Sequence, residues 1–166
     1  MSIVLTRIDT RLIHGQVLEA WVPYVHADCI VVANEAVTNS PLKKMMMEAS
    51  VPTRIRVEIG SVDDVSELFA SGSLNACKVL LLFATTKDAL AAHRKGLLFS
   101  RLNLGNLHAG EGKQRLSCTL YLNPEDISNL ADLEGEGVTV SARCIPADSD
   151  RPWRKLIPGR KGEACP

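Results

Sequence analysis

Two continuous apolar runs set the strongest limit on how this chain can fold. Residues 29–33 (CIVVA) and residues 79–83 (VLLLF) have the length of strands and carry no charged side chain. Runs of this kind are typical of parallel sheets that are covered on both faces. They alternate with helical patterns over short connections, which favours βαβ units with right-handed crossovers. The sequence therefore predicts an α/β fold, an open, mainly parallel twisted sheet with helices on both faces, in a single domain.

The other elements are predicted from periodicity and from helix caps. Further strands are expected at residues 3–5, 53–59 and 102–106, and a last strand at residues 138–142. Helices are expected after His14, where Pro23 should bend or end the helix, and from four capping positions, namely Ser40, Ser61, Thr86 and Asn123. Residues 34–40 should form a polar connection and residues 109–115 a glycine-rich loop. Met45, Met46 and Met47 should pack their helix rather than bind a soft metal.

Composition excludes several classes of protein. The 166 residues fit one domain, and 19 Lys and Arg balance 19 Asp and Glu. A net charge of zero argues against a general nucleic-acid or anionic-membrane binder, which would show a basic excess. No apolar run reaches the roughly 20 residues that cross a bilayer, and no secretory signal is recognisable, so a cytoplasmic protein is expected. The five cysteines form no C-x-x-C pair; Cys29, Cys77 and Cys144 are expected to be small buried hydrophobes, with no disulfide or metal site.

Residues 7–17 (RIDTRLIHGQV) form the most informative polar stretch, at the corner between the first strand and the first helix. Ligands of open α/β sheets bind at such corners, outside the carboxyl ends of the strands. His14 is the candidate nucleophile, because a neutral imidazole nitrogen can attack phosphorus. The alternative is an ordinary loop histidine without chemistry.

The neighbours of His14 suit a phosphoryl group. Arg11 and Arg7 carry guanidinium groups, which bind phosphate in a bidentate manner. Gly15 lets the backbone approach closely, and the helix that follows directs N–H groups at an anion. Asp9 is expected to hold the proton of the second ring nitrogen of His14 and so to fix its tautomer.

The same stretch, followed by Trp21, resembles the signature of the mannose/fructose/sorbose-type IIB components of the bacterial sugar phosphotransferase system. The resemblance continues through residues 30–35, 79–83, 102–108 and 137–140 and includes Pro146. It implies a IIB-type phosphotransferase domain over residues 1–157, followed by a flexible C-terminal tail at residues 158–166.

The resemblance also implies an activity and partners. His14 would accept a phosphoryl group from a phosphohistidine of the IIA component and pass it to a sugar bound by the membrane IIC and IID components. The enzyme class would be protein-N(π)-phosphohistidine–sugar phosphotransferase, peripherally associated with the permease, without metal or cofactor. Arg11 and Asp9 would assist His14, while Arg7, Gly15 and Gln16 would bind or orient the phosphoryl group. His108, Asn106 and Asn39 are candidates for the active face, and a homodimer is possible.

Two departures from the family pattern leave alternatives open. The family usually carries two adjacent aspartates where this chain has Asp9 and Thr10, and an aspartate near Asn34 and Ser40. These changes bear on sugar transfer and leave the phosphoacceptor intact. A regulatory, phosphorylation-dependent adaptor without a sugar substrate is therefore a second hypothesis, and a small-ligand-binding α/β domain with a silent His14 is a third.

Overall fold

A computed structural model describes residues 2–158 as one mainly parallel sheet between two layers of helices. The seven strands of the main sheet are ordered β3-β2-β4-β1-β5-β8-β9. Strands are β1 (Ser2–Asp9), β2 (Cys29–Ala33), β3 (Arg56–Gly60), β4 (Lys78–Phe83), β5 (Arg101–Asn106), β6 (Gln114–Arg115), β7 (Tyr121–Leu122), β8 (Thr139–Ala142) and β9 (Arg151–Pro152). Helices are α1 (a π-helical turn Val17–Trp21 continued by Val22–Val25), α2 (Glu35–Thr38), α3 (Pro41–Ser50), α4 (Val62–Ala70), α5 (Thr86–Arg94) and α6 (Pro124–Gly135), and a 3₁₀ turn spans Trp153–Leu156.

The first strand lies in the middle of the sheet. β1 pairs in parallel with β4 on one side and with β5 on the other. The predicted fold class is confirmed, with one addition at the edge of the sheet. The strand predicted at residues 138–142 is present as β8, but it is not the last one, because β9 follows and pairs antiparallel with it. A two-residue strand carries too little periodicity to be found in the sequence.

Each face of the sheet has its own hydrophobic core. Side chains of α1, including Trp21, pack against Ile30 and Leu80 on one face. Side chains of α4, α5 and α6 pack against Val31 and Leu81 on the other. The helix that follows β1 and the helix that follows β5 therefore lie on opposite faces, which opens a crevice at the carboxyl ends of these two strands.

The apolar runs behave as predicted, and β1 is longer than predicted. Every residue of β2 and of residues 79–83 is fully buried. β1 continues beyond the predicted residues 3–5 to Asp9. Its last part carries Arg7 and Asp9, which are both buried and form an ion pair with each other. Charged residues are almost never fully buried unless they are paired, so Arg7 and Asp9 made the strand seem to end before them in the sequence.

The first helix continues past Pro23, so the proline does not end it. Its hydrogen bonds widen to the π type, with the Val22 N–H bonded to the Val17 carbonyl, and the helix continues to Val25. His26 then adopts a left-handed conformation with φ of 53° and ends it. Pro23 was predicted to bend or end the helix; it does not end it, because the wider turn accommodates a residue without an N–H.

Several connections also differ from the predictions. Residues 34–40 contain the short helix α2, capped by the Asn34 side chain, and residues 109–115 contain β6. The cap of α5 is Thr85; Thr86 is buried and donates to Asp126. The capping positions at Ser61 and Asn123 are confirmed, each with a reciprocal capping box.

Two expectations about burial were wrong in part. Leu42, Met45 and Met46 of α3 are exposed, so this helix does not pack through them. Cys29 is buried as predicted, whereas Cys77 and Cys144 are only partly buried. Residues 159–166 of the predicted tail lie outside the described residues, and within 2–158 no helix has the length and hydropathy of a bilayer-spanning segment.

Candidate functional site

The site is a tight turn that follows β1 and carries His14. The Leu12 N–H donates to the Asp9 carbonyl at 2.9 Å, and Leu12 adopts a left-handed φ of 55°. This conformation is unfavourable for a leucine. The Leu12 side chain is buried in the core beneath α1, so packing holds the backbone in this conformation. The turn places His14 immediately before the first turn of α1.

The His14 ring is held by two groups of this turn. Its Nδ1 lies 2.9 Å from the Leu12 carbonyl, and its Nε2 lies 3.8 Å from Asp9 Oδ2. A carbonyl only accepts, so this contact assigns the ring proton to Nδ1 and leaves the lone pair of the neutral ring on Nε2. Nε2 is buried and has no hydrogen-bond partner among the described residues, and the side chain as a whole is 16% exposed. The tautomer is therefore set by Leu12, whereas the sequence predicted that Asp9 would set it.

The Asp9 carboxylate is completely buried and joins two arginines. Arg7 donates to Oδ2 at 2.9 Å. The Arg11 backbone N–H and its Nε both donate to Oδ1 at 3.2 Å. One carboxylate thus faces two guanidinium groups, so these three side chains carry an excess of one positive charge beside the imidazole of His14.

Arg7 lies in a socket beneath the turn and has no exposed surface. One terminal nitrogen donates to Asn103 Oδ1 at 2.6 Å and to the Arg143 carbonyl at 3.0 Å. The other donates to Asp9 and, at 3.1 Å, to the Cys144 carbonyl. Burial lowers the pKa of the Arg7 guanidinium and the Asp9 carboxylate opposes that change, yet an arginine stays protonated in proteins. Arg7 is too deeply buried to touch a phosphoryl group directly, so of its two predicted roles only orientation fits its position.

Two further residues complete the socket. The Trp21 ring lies 5.0 Å from the Arg7 guanidinium carbon, and its Nε1 donates to the Cys144 carbonyl at 3.0 Å. Gly105 of β5 lies against the same guanidinium, and a Cβ there would overlap its carbon and both of its terminal nitrogens. The socket is therefore built from β5, α1 and the segment after β8, which are far apart in the sequence.

Arg11 is the arginine that remains accessible. Its side chain is 35% exposed. Besides Asp9, it contacts Gln16, whose Oε1 accepts from a terminal nitrogen of Arg11 at 3.1 Å. Gln16 thereby orients Arg11. Gly15 is exposed, and a Cβ there would meet nothing within 4 Å, so the space in front of this backbone is open.

The three outer candidates differ in their relation to the turn. The Asn106 carbonyl accepts from the Thr10 N–H at 2.9 Å, which joins the end of β5 to the turn. The Asn106 Oδ1 is buried and has no hydrogen-bond partner among the described residues. His108 is exposed on the loop beyond β5, and Asn39, which follows α2, donates its amide to Glu35 at the beginning of that helix. Within residues 2–158, no hydrogen bond joins either of these two side chains to the His14 turn.

Neither Asn103 nor Gly105 was predicted from the sequence to belong to the site. Both interrupt the otherwise apolar strand β5, where a polar amide and a residue without a side chain have no packing role. A polar residue and a glycine inside an apolar strand are the sequence signal from which Asn103 and Gly105 could have been predicted. The carbonyls of Arg143 and Cys144 carry no signal of this kind, because any residue provides a carbonyl.

Comparison with known proteins identifies the family of the chain. The family described as "PTS system sorbose subfamily IIB component" matches residues 3–164. The N-acetylgalactosamine-specific phosphotransferase enzyme IIB component 2 of Escherichia coli K12 is 33% identical over 94% of this chain and 99% of its own length. The sorbose-specific EIIB component of Klebsiella pneumoniae is 30% identical over 89% of this chain and 90% of its own.

Solved structures show the same fold. The crystal structure of the IIBSor domain of the sorbose permease from Klebsiella pneumoniae superposes with a TM-score of 0.91 at 28% identity, covering 97% of this chain and 99% of that one. Both the sequence and the fold match over almost the whole chain, which therefore belongs to the sorbose subfamily of IIB components of the sugar phosphotransferase system.

Proposed function

We propose that His14 accepts a phosphoryl group from a phosphohistidine of a IIA component and passes it to a sugar at the membrane IIC and IID components. The observation that carries this proposal is the charge of the cluster beside the ring. Two guanidinium groups share the single carboxylate of Asp9, at a half-buried imidazole. An excess positive charge at this place compensates the charge of a transferred phosphoryl group.

The transfer requires the His14 ring to change its state. The N–P bond of the donor histidine breaks, and a bond from phosphorus to a ring nitrogen of His14 forms. We assign this bond to Nδ1, which is N(π). An N–H nitrogen has no free lone pair, so the proton first moves from Nδ1 to Nε2, where Asp9 at 3.8 Å stabilises it. Nδ1 then presents a lone pair to the Leu12 carbonyl instead of a proton, which favours turning Nδ1 away from that carbonyl and towards the donor. The Nδ1 lone pair attacks phosphorus, and the electron pair of the broken N–P bond stays on the donor histidine.

Arg11 is the residue that meets the phosphoryl oxygens. It is accessible, and Asp9 and Gln16 fix its direction. Backbone N–H groups at the beginning of α1, next to the open space at Gly15, provide further donors. Arg7 acts through Asp9 and is a positioning residue. These groups supply the charge compensation that phosphoryl transfer needs, and the proposal includes no metal or cofactor.

A second candidate is a regulatory adaptor that is phosphorylated on His14 but has no sugar substrate. Two observations favour it as an alternative. Thr10 stands where the family pattern of the sequence resemblance has a second aspartate, and its hydroxyl is directed to the Asn106 carbonyl at 3.4 Å. Asn34 uses its side chain to cap α2 and to bond Asp88. Both residues serve the local structure, and neither provides the carboxylate of the family pattern.

One assay separates these functions. The protein is incubated with labelled phospho-IIA, and we expect an acid-labile, alkali-stable label on wild type and none on His14→Ala. Equal labelling of the variant would refute the assignment of His14. Membranes that hold IIC and IID are then added with a sugar. Formation of a sugar phosphate supports the carrier, whereas a retained label without sugar phosphate supports the adaptor. Absence of any label, with binding of a metabolite instead, would favour the silent-histidine alternative.

The expected association with the permease and the homodimer are parts of the same proposal. Residues 1–157 would form the transferring domain, and the carrier would meet IIA and the permease in turn with the same exposed edge. Sedimentation of the purified protein with and without permease membranes, together with its mass in solution, tests both expectations.

A further inference from the structure

Arg11, the accessible arginine of the site, is held from two sides. On one side its Nε lies 3.2 Å from Oδ1 of Asp9 and its Nη2 lies 3.5 Å from Oδ2. On the other side Oε1 of Gln16 accepts from the same Nη2 at 3.1 Å. The second terminal nitrogen, Nη1, has no hydrogen-bond partner within residues 2–158. The two contacts therefore fix the direction of the planar guanidinium and leave Nη1 available to an anion.

The Gln16 side chain needs a contact of its own if it is to orient an arginine. It lies at the beginning of α1, and its amide does not cap the helix. A glutamine side chain is rich in rotamers, so ordering it is costly unless a partner restricts it. Among the described residues, one further contact does so. Sγ of Cys144 lies 3.9 Å from Oε1, the atom that also accepts from Arg11.

The Cys144 thiol is the donor in this contact. A guanidinium has only donors, so the atom of Gln16 that faces Arg11 is the amide oxygen, which can accept a second hydrogen bond. Burial raises the pKa of the Cys144 thiol, and the nearby Arg7 opposes this change to a smaller extent. The thiol therefore keeps its proton at neutral pH. An S–H group is a weak donor, so the contact restricts the amide more than it stabilises the fold.

The backbone of Cys144 is anchored in the socket of Arg7. Its carbonyl accepts from Nη2 of Arg7 at 3.1 Å and from Nε1 of Trp21 at 3.0 Å. The segment that follows β8 is also closed on itself, because Nε of Arg143 donates to the Asp148 carbonyl at 2.9 Å. These contacts hold the main chain on both sides of the thiol. A side chain presented in this way can restrict a more flexible neighbour.

We propose that Cys144 is a positioning residue for phosphoryl transfer, which acts through Gln16 on Arg11. The inference rests on the proposed function, because Arg11 is the group assigned to the phosphoryl oxygens. The socket then reaches this arginine through two series of contacts, one through the Asp9 carboxylate and one through the thiol and the amide. The carboxylate supplies the stronger, charged bond, and the neutral series limits the directions that the guanidinium can take.

Labelling by phospho-IIA at several concentrations tests this role. Cys144→Ala removes the donor and should lower the maximal rate about threefold, with no change in the phospho-IIA concentration that gives half of that rate. Cys144→Ser keeps a donor and should transfer at nearly the wild-type rate. Cys77→Ala is the matched control, because Cys77 is partly buried as well and precedes β4 at the opposite edge of the sheet. It should transfer as wild type does.

A double-mutant cycle separates positioning from packing. In a Gln16→Ala background the amide that Cys144 restricts is absent, so Cys144→Ala should cause no further loss of rate. A thiol that only packs would slow both backgrounds by the same factor and would lower the unfolding temperature together with the rate. Equal losses in the two backgrounds would overturn the proposal. So would wild-type rates in Cys144→Ala, or a Cys144→Ser variant as slow as Cys144→Ala.

A measurement without phosphoryl transfer distinguishes this inference from the proposed function. The NMR order parameter of the Arg11 Nε–H bond reports the motion of the guanidinium in the free protein. It should fall in Cys144→Ala and in Gln16→Ala and should stay unchanged in Cys77→Ala. Absence of labelling in wild type would refute the proposed function, whereas an unchanged order parameter in Cys144→Ala would overturn the role of Cys144.

Discussion

Gly105 of β5 and Arg7 of β1 are in direct contact, and the guanidinium of Arg7 occupies the space that a side chain at residue 105 would fill. Arg7 in turn donates to Asp9, and Asp9 accepts from Arg11 and lies beside His14. The Arg7–Asp9 and Asp9–Arg11 ion pairs therefore connect Gly105 on β5 to the surroundings of His14, the proposed phosphoacceptor. Glycine is required at this point because of the close approach, not because of its backbone angles.

Gly105→Ala should disturb both stability and transfer. The added Cβ must displace Arg7, which would lose its bonds to Asn103 and Asp9, and the free energy of unfolding should fall by about 2–4 kcal/mol. The rate of labelling by phospho-IIA should fall as well, because Asp9 no longer holds Arg11 in place. Denaturant unfolding and the labelling assay measure the two effects.

Gly135→Ala is the matched control for this substitution. A Cβ at Gly135 would meet nothing within 4 Å, and the residue ends α6 far from the site. Its effect on stability should be about 1 kcal/mol or less. If Gly105→Ala behaved in the same way as this control, the close contact with Arg7 would not constrain the site.

Arg11→Ala should separate transfer from stability. Arg11 is partly exposed, and partly solvated ion pairs contribute only about 1 kcal/mol or less to folding. Loss of a group that stabilises charge in the transition state slows a reaction by about a hundredfold or more. We therefore expect a nearly unchanged unfolding transition and a labelling rate reduced by about this factor.

Two further variants test whether geometry or charge alone matters at Arg11. Arg11→Lys keeps the charge but cannot bond Asp9 and Gln16 through a planar fork, so its rate should lie between wild type and Arg11→Ala. Arg101→Ala removes an exposed arginine from the opposite edge of the sheet and should transfer at the wild-type rate. Equal rates for wild type and Arg11→Ala would contradict the role given to Arg11.

Phosphorylation should reverse the tautomer of His14. In the free protein Nδ1 faces a carbonyl and should carry the proton, which ¹⁵N chemical shifts of the ring report directly. In the phosphorylated protein the proton should be on Nε2, beside Asp9. Asp9→Glu, which keeps the charge, should preserve this change more fully than Asp9→Asn. A phosphoryl group found on Nε2 instead would refute the assignment to Nδ1.

The sequence contains enough to predict the sheet but not the socket around Arg7. β2 and β4 were predicted correctly because continuous apolar runs have few other uses. Asn103 and the Cys144 carbonyl reach Arg7 only through the order of the strands, which local periodicity does not contain. Helix α3 shows the same limit in another form. The stripe of Leu42 and Met45 indicates an amphipathic helix, but periodicity does not indicate which surface covers its apolar face.

The thiols of the described cysteines should react with a maleimide in the order of their exposure. Cys118 is exposed and should react first, while Cys29 is buried and should react last. Burial raises the pKa of the Cys29 thiol to about 12 from 9.0, and the pKa of Cys144 is also raised by burial. A rise of about three pKa units lowers the thiolate fraction near neutral pH about a thousandfold, and the thiolate is the reactive form.

Mass spectrometry of a Cys165→Ser variant after timed labelling measures the rate at each cysteine. In denaturant, the same protein should no longer show this order of reaction. Rapid labelling of Cys29 in the folded protein would contradict the burial of β2.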